Sequence, residues 1–221
     1  MIRIIRLDGP AGGPAVIEIC LVTPGGPRRT PVKLSAVERA LRNRRSARQA
    51  RADFTAGRTA AHALLGNGVE VDRAANGQPV PSRNGRAMAT ISLSIGHSGG
   101  CGMAAVVNDA GWIIGVDIET RSRLSQQLAR RVLTPREKRR VSRRPPGLRG
   151  RATVEHWVLK EAALKTIGGG VAKLISAPEA AEVIRLNRRA WGSINLAGAR
   201  PARARLIQAR SMTMAVALLR R

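Results

Sequence analysis

The chain has 221 residues, and its 39 lysines and arginines outnumber its 14 aspartates and glutamates, which gives a formal net charge of +25. This charge predicts attraction to polyanions, but an aromatic content of 2% leaves little material for stacking nucleic-acid bases. No apolar run approaches the roughly 18 residues of a membrane span, and no secretory signal is predicted, so we expect a cytoplasmic protein without a membrane partner. Much of the excess charge can equally follow from the base composition of a genome.

The first half of the sequence predicts strands that alternate with helices. Ser35 is expected to cap a helix, because Glu38 three residues later completes a capping box. A second helix is predicted at 50–66, ended by Gly66, and turn chemistry predicts a loop at 76–85. Strands are predicted at 15–22, 68–73, 89–94 and 101–107.

The second half begins at a four-residue turn, NDAG at 108–111, which predicts a hairpin that joins strand 101–107 to strand 112–119. A helix is predicted at 124–142, with an interruption at Thr134 and Pro135. The clearest helix pattern of the chain follows, and then two further strands; these three segments are 151–168, 181–186 and 213–221.

The order of these elements repeats, since strand, helices and strands are followed by strand, helices and strands. Each half has a plausible length for a small domain. The pattern therefore predicts an α+β fold of two similar α/β halves, 1–109 and 110–221.

Two acids stand one residue apart on the predicted strand 112–119, in a chain that has few acids. Side chains two apart on a strand share a face, so Asp117 and Glu119 would repel unless a cation or a proton lies between them. The alternative is a pair of solvated acids at the end of a strand.

A second cluster lies on the predicted helix 151–168. Glu161 and Lys165 are four residues apart and share a helix face with Trp157. Alone, this pattern is typical of a surface ion pair above an apolar tryptophan. Together with Asp117 and Glu119, however, Glu161 would complete a set of three carboxylates suited to Mg²⁺, and Lys165 would reach a phosphate bound to that ion.

The two clusters resemble the signature of the 4'-phosphopantetheinyl transferase superfamily, with GVDIE at 115–119 and WVLKEAALK at 157–165. The resemblance extends over roughly residues 35–220. Its length favours the monomeric surfactin-synthetase-activator type, which implies two halves packed with pseudo-two-fold symmetry. Further similar segments are FTAGRTAAHALL at 54–65, RAANGQPVP at 73–81, SLSIGHSGG at 92–100 and LTPREKRRV at 133–141.

The resemblance implies an enzyme that transfers 4'-phosphopantetheine from coenzyme A to a serine of an acidic acyl or peptidyl carrier protein and releases 3',5'-ADP. The implied Mg²⁺ ligands are Asp117, Glu119 and Glu161. The implied catalytic residues are Glu161, Lys165 and Asp117. The implied contacts of coenzyme A are Arg58, Arg73, His97, Ser98, Lys160 and Lys165.

Two residues depart from the pattern of the superfamily. Gly96 stands where a serine commonly precedes the turn histidine, and Gln78 replaces the lysine of a Gly-Lys-Pro loop. The first change removes an expected hydroxyl contact to phosphate unless Ser98 supplies it, and the second removes a cationic contact unless Arg73, Arg83 or Arg86 replaces it. These departures keep open a homologue that binds coenzyme A without transferring its arm. A basic nucleic-acid-binding protein is the other alternative, but no motif supports it.

Overall fold

The computed structural model describes residues 1–24, 34–120, 131–186, 190–209 and 211–221. The chain divides into two compact units, Met1–Ile114 with Arg221, and Gly115–Arg220. The helices are α1 (Ala36–Asn43), α2 (Arg48–Leu65), α3 (Pro135–Ser142), α4 (Pro146–Lys165) and α5 (Val171–Ser176), and a 3₁₀ turn covers Pro178–Ala180. The strands are β1 (Ile2–Asp8), β2 (Val16–Val22), β3 (Val69–Arg73), β4 (Pro79–Arg83), β5 (Arg86–Ala87), β6 (Ile91–Ser98), β7 (Cys101–Asn108), β8 (Trp112–Thr120), β9 (Ala181–Arg185), β10 (Gly192–Leu196), β11 (Ala202–Ala209) and β12 (Met212–Arg220).

The first unit packs α2 against an antiparallel sheet of order β1-β2-β7-β6. Small residues face each other across this layer, including Ala60 and Ala61 on the helix and Ala104 on β7, and all three are fully buried. At Gly102 the helix and the strand touch, because a Cβ there would overlap the carbonyl group of Ala56. The core of this unit is therefore a close helix-on-sheet contact made by small side chains.

The helix ends of the first unit follow the sequence prediction. Ser35 accepts a hydrogen bond from the backbone N–H of Glu38 at 3.1 Å, and the Glu38 carboxylate accepts one from the Ser35 N–H at 2.9 Å. Helix α2 ends at Gly66, whose φ of 78° is a conformation that favours glycine. The predicted capping box and the predicted helix end are both confirmed.

The predicted loop at 76–85 is wrong, because β4 occupies its centre and pairs with β3. Two prolines, Pro79 and Pro81, lie within this strand. They lie on alternate positions, and the Pro81 carbonyl accepts from Met88 N–H on the side away from β3. The N atom and the carbonyl of one strand residue point to the same side, so the missing proline N–H removes no bond to β3.

The second unit carries a five-stranded sheet of order β8-β12-β11-β10-β9, on which α4 packs. Strands β9 to β12 pair antiparallel. The predicted hairpin at 108–111 is wrong, since β7 and β8 belong to different sheets. A turn does form there, with Asp109 O accepting from Trp112 N–H at 3.1 Å, but the turn residues do not decide which strands pair.

Helix α3 begins where the sequence places an interruption. Thr134 caps it in a capping box with Glu137, and Pro135 occupies the first turn. The part of the predicted helix at 124–130 lies outside the described residues. Helix α4 begins at Pro146, five residues before its predicted start.

The mixed helices and antiparallel sheets agree with the predicted α+β class. Besides β4, the sequence did not predict five of the helices and strands, namely β1, β5, α5, β10 and β11. In the part of the chain that the structure describes, no helix is long and apolar enough to cross a bilayer.

Candidate active site

Strand β8 and helix α4 of the second unit bring the predicted acids and lysine into one place. The Lys165 ammonium donates hydrogen bonds of 2.8 Å to the Asp117 carboxylate and of 2.8 Å to the Val116 carbonyl. Glu161 lies one helix turn before Lys165, and the charges of Asp117 and Lys165 both act on the pKa of its carboxyl group. The i,i+4 pair of the helix therefore faces the acidic end of the strand.

Gly115 explains how the helix comes so near to the strand. A Cβ at this position would overlap the Ala162 carbonyl oxygen and would lie 3.1 Å from the Thr166 methyl carbon. Only a glycine allows the two backbones to meet here. The first residue of the GVDIE segment thus positions Asp117, two residues later on β8, beside the helix face that carries Glu161.

Glu161 is a buried carboxyl group with an unusual pKa. Glu161 is only 6% exposed, and its Oε1 atom has no hydrogen-bond partner among the described residues. Burial first, and then the negative charges of Asp117 and Glu119, raise its pKa to about 7, against the opposite effect of Lys165. Near neutral pH this carboxyl group therefore exchanges its proton readily.

Two of the three predicted metal ligands lie in an environment that suits a hard divalent cation such as Mg²⁺. Asp117 and Glu161 are buried carboxylates, and the Oε1 atom of Glu161 is a buried oxygen ligand that a cation would satisfy. No group of three or more His, Cys, Asp or Glu side chains within the described ranges is arranged to hold a metal ion. The predicted third ligand, Glu119, is half-buried and acts on Glu161 through its charge. The donor chemistry of Asp117 and Glu161 is compatible with Mg²⁺, and the assignment of all three predicted ligands stays a prediction.

Comparison with protein families matches this region of the chain. Residues 113–217 match the family model of the 4'-phosphopantetheinyl transferase superfamily. The match includes both predicted acidic clusters and supports the superfamily, whose members transfer 4'-phosphopantetheine. It does not distinguish the surfactin-synthetase-activator type. A comparison with curated proteins finds no match.

Lys160, which precedes Glu161 in the superfamily segment, is buried in an ion pair that connects neighbouring elements. It is fully buried, and its ammonium donates to the Val132 carbonyl at 2.6 Å and to the Glu137 carboxylate at 2.7 Å. The other oxygen of Glu137 accepts from Val183 N–H at 2.8 Å. This buried pair joins α3, α4 and β9. The arrangement favours a structural role over the predicted contact of Lys160 with phosphate.

Arg58 of the first unit is also held inside the protein. It is 7% exposed, donates to the Val71 carbonyl at 3.0 Å and lies 3.7 Å from the carboxylate of Glu38. Its guanidinium carbon is 5.2 Å from the centre of the Phe54 ring. His62 completes the network with hydrogen bonds to both oxygens of Glu38, at 3.0 and 3.1 Å. A nucleotide contact by Arg58 would have to replace these partners.

The other predicted contacts of coenzyme A lie on accessible parts of the first unit. His97 is exposed at the end of β6, Ser98 is half-buried beside it, and Arg73 is exposed at the end of β3. The turn after Ser98 is tied to α2, because the Asp53 carboxylate accepts from Gly100 N–H at 2.6 Å. Sequence reasoning missed Asp53, Glu137 and the packing role of Gly115. The scarcity of acids in this chain was the available signal for the first two.

Proposed function

We propose that this protein is a 4'-phosphopantetheinyl transferase of the surfactin-synthetase-activator type. It would transfer the arm of coenzyme A to a serine hydroxyl of an acyl or peptidyl carrier protein and release 3',5'-ADP. The observation that carries the proposal is the meeting of Asp117, Glu161 and Lys165 within the segment that matches the superfamily. We further propose that it acts as a monomer in the cytoplasm.

Glu161 is the group that would receive the serine proton. A general base must lie within hydrogen-bond reach of the proton that it accepts, and Glu161 is a buried carboxyl group whose pKa burial raises to about 7 when no metal is bound. With Oε1 bound to the ion, the other carboxylate oxygen, Oε2, would receive that proton, directly or through a water molecule. The proton would move from the serine oxygen to this carboxylate as that oxygen bonds to phosphorus.

Lys165 and Asp117 would organise charge around the diphosphate. The 2.8 Å bond to Asp117 fixes the ammonium group of Lys165 at the buried end of β8. Because Lys165 remains 24% exposed at its side chain, it can reach a phosphate as well as its carboxylate partner. Phosphoryl transfer depends mainly on such positioning and neutralisation of charge.

Asp117 and Glu161, with Glu119 as the third ligand, would hold Mg²⁺. When bound, this ion neutralises diphosphate charge and stabilises the leaving oxygen. The exposed His97 and Arg73, with the half-buried Ser98, would contact the phosphates and the nucleotide of coenzyme A. The net charge of +25 would favour encounter with an acidic carrier protein.

The test is mass spectrometry of an apo carrier protein after incubation with coenzyme A, Mg²⁺ and this protein. A mass gain of one phosphopantetheine is expected, and both EDTA and Glu161→Gln should abolish it. Lys138→Gln, an exposed charge change on α3, is the matched control and should retain transfer. Binding of coenzyme A without any mass gain would indicate the non-catalytic homologue. Transfer that survives both EDTA and Glu161→Gln would overturn the roles given to the metal and to Glu161.

A further inference from the structure

The second unit contains an arginine-rich cavity that the proposed transfer reaction does not use. Its volume is about 460 Å³, and it lies between the end of α3, the first turns of α4 and β9. The charged side chains that line it are Arg140, Arg143, Arg144, Arg185 and Glu155.

The positive charge of this cavity is not balanced from within. Among the described residues that line it, Glu155 is the only one with a carboxylate, and that carboxylate already accepts from Arg151 at 3.2 Å and from Gln208 at 2.7 Å. Arg140 donates to the Val183 carbonyl, which fixes its guanidinium group against β9. Like charges that converge on one cavity repel each other unless an anion joins them.

The end of a helix explains only part of this pattern. Arginines near the C-terminus of a helix are stabilised by its dipole, which accounts for Arg140 in the last turn of α3 and for Arg143 at its C-cap. Arg185 belongs to β9 and has no such reason to face the same cavity. Its convergence with the α3 arginines points to a shared ligand.

The buried wall of the cavity adds a polar group. His156 is 4% exposed, and its Nδ1–H donates to the Ala152 carbonyl at 2.7 Å. Burial lowers the pKa of His156 below its usual range, so the ring is neutral and Nε2 carries a lone pair. Nε2 is buried and has no partner among the described residues. The neutral ring adds no positive charge to the cavity, whose charge comes from its arginines.

We propose that this cavity binds the phosphate groups of a small phosphorylated molecule. One guanidinium group can bind two phosphate oxygens at once through parallel hydrogen bonds. The exposed Arg143, Arg144 and Arg185 form the open rim through which a ligand would enter. The volume is of the size that small-molecule sites require. The proposal does not depend on the transfer reaction, because no residue of the acid site lines this cavity.

Isothermal titration with inorganic tripolyphosphate, in EDTA and at about physiological salt, tests the proposal. The cavity variant is Arg143→Gln/Arg144→Gln/Arg185→Gln, and the control is Arg136→Gln/Lys138→Gln/Arg139→Gln. The control removes the same number of charges from exposed positions of α3 outside the cavity. We expect the cavity variant to lose at least about tenfold in affinity, since charge-assisted bonds are removed, and the control to change by about twofold or less.

Three results would overturn the proposal. Equal weakening in the two variants would mean that tripolyphosphate responds only to the overall charge of the protein. Absence of measurable binding by the unaltered protein would mean that the cavity is not a phosphate site. If Lys165→Gln, rather than the cavity variant, removes binding, the anion occupies the acid site instead. Circular dichroism of each variant confirms that the fold is retained.

Discussion

Replacing Glu161 by glutamine should stabilise the protein when no metal is present. A glutamate has an ordinary pKa of 4.5, whereas burial and the neighbouring acids raise the pKa of Glu161 to about 7. The folded protein then holds a proton that the unfolded chain has lost between these two values. The stability due to the protonated form is complete below pH 4.5 and is lost as pH rises through about 7.

The size of the effect follows from this difference in pKa. One pKa unit corresponds to about 1.4 kcal/mol, so the ionised Glu161 lowers the free energy of unfolding by about 3 kcal/mol at pH 8. Glutamine has nearly the same shape and does not ionise. Glu161→Gln should therefore be more stable than the unaltered protein by up to about 3 kcal/mol at pH 8, and the gain should be much smaller at pH 5.

Urea denaturation in EDTA at pH 5 and pH 8, followed by circular dichroism, measures this difference. Glu119→Gln is the matched control, because it removes a like charge from the half-buried end of β8 and should give a smaller gain. A Glu161→Gln difference that is the same at both pH values, or that is destabilising at pH 8, would refute the reasoning. Adding Mg²⁺ should then stabilise the unaltered protein and leave Glu161→Gln unchanged.

Two further substitutions test the packing that builds the site. Gly115→Ala should destabilise the second unit by roughly 1–3 kcal/mol or more, because its Cβ would overlap the carbonyl oxygen of Ala162, and thermal unfolding would detect the loss. Lys160→Met should cost roughly 3–5 kcal/mol, because it leaves the buried carboxylate of Glu137 without its cation; urea denaturation would measure this. Neither effect requires coenzyme A or metal.

Each of these substitutions has a matched control. Gly147→Ala lies in α4, where a Cβ would meet no atom within 4 Å, and should be neutral or stabilising by up to about 1 kcal/mol. Lys138→Met changes an exposed lysine of α3 and should leave stability nearly unchanged. If Gly115→Ala behaved like Gly147→Ala, the helix would not be held against β8 as described. If Lys160→Met unfolded no more easily than its control, the buried pair would not stabilise the unit.

Local signals carried the sequence predictions that the structure confirms. The Ser35 capping box, the end of α2 at Gly66 and the start of α3 after Thr134 depend on hydrogen bonds between residues that are near in sequence. Such bonds can be read from spacing alone. The grouping of Glu161 with Asp117 came instead from the chemistry of carboxylate ligands and from the resemblance to a family, since no periodicity relates a strand to a helix so far along the chain.

Tertiary contacts decided what the sequence could not show. Lys160 looks like any helix lysine until its partner Glu137 is placed beside it by α3. Arg58 likewise acquires its role from Val71 and Glu38, which lie on other elements. The prolines of β4 and the turn at 108–111 were misread because strand pairing depends on neighbours that come from elsewhere in the chain.

The backbone contact at Gly115 has a consequence for motion. At Gly115 the backbones of the strand and the helix are in direct contact, so no side chains lie between them that could rearrange if one moved against the other. Opening of this corner would then require the whole sheet to release α4, so the amides of Val116 and Ile118 should exchange with deuterium only through unfolding of the entire second unit. When a substrate binds, we therefore expect the side chains of this site to change conformation while the backbones of β8 and α4 stay in place.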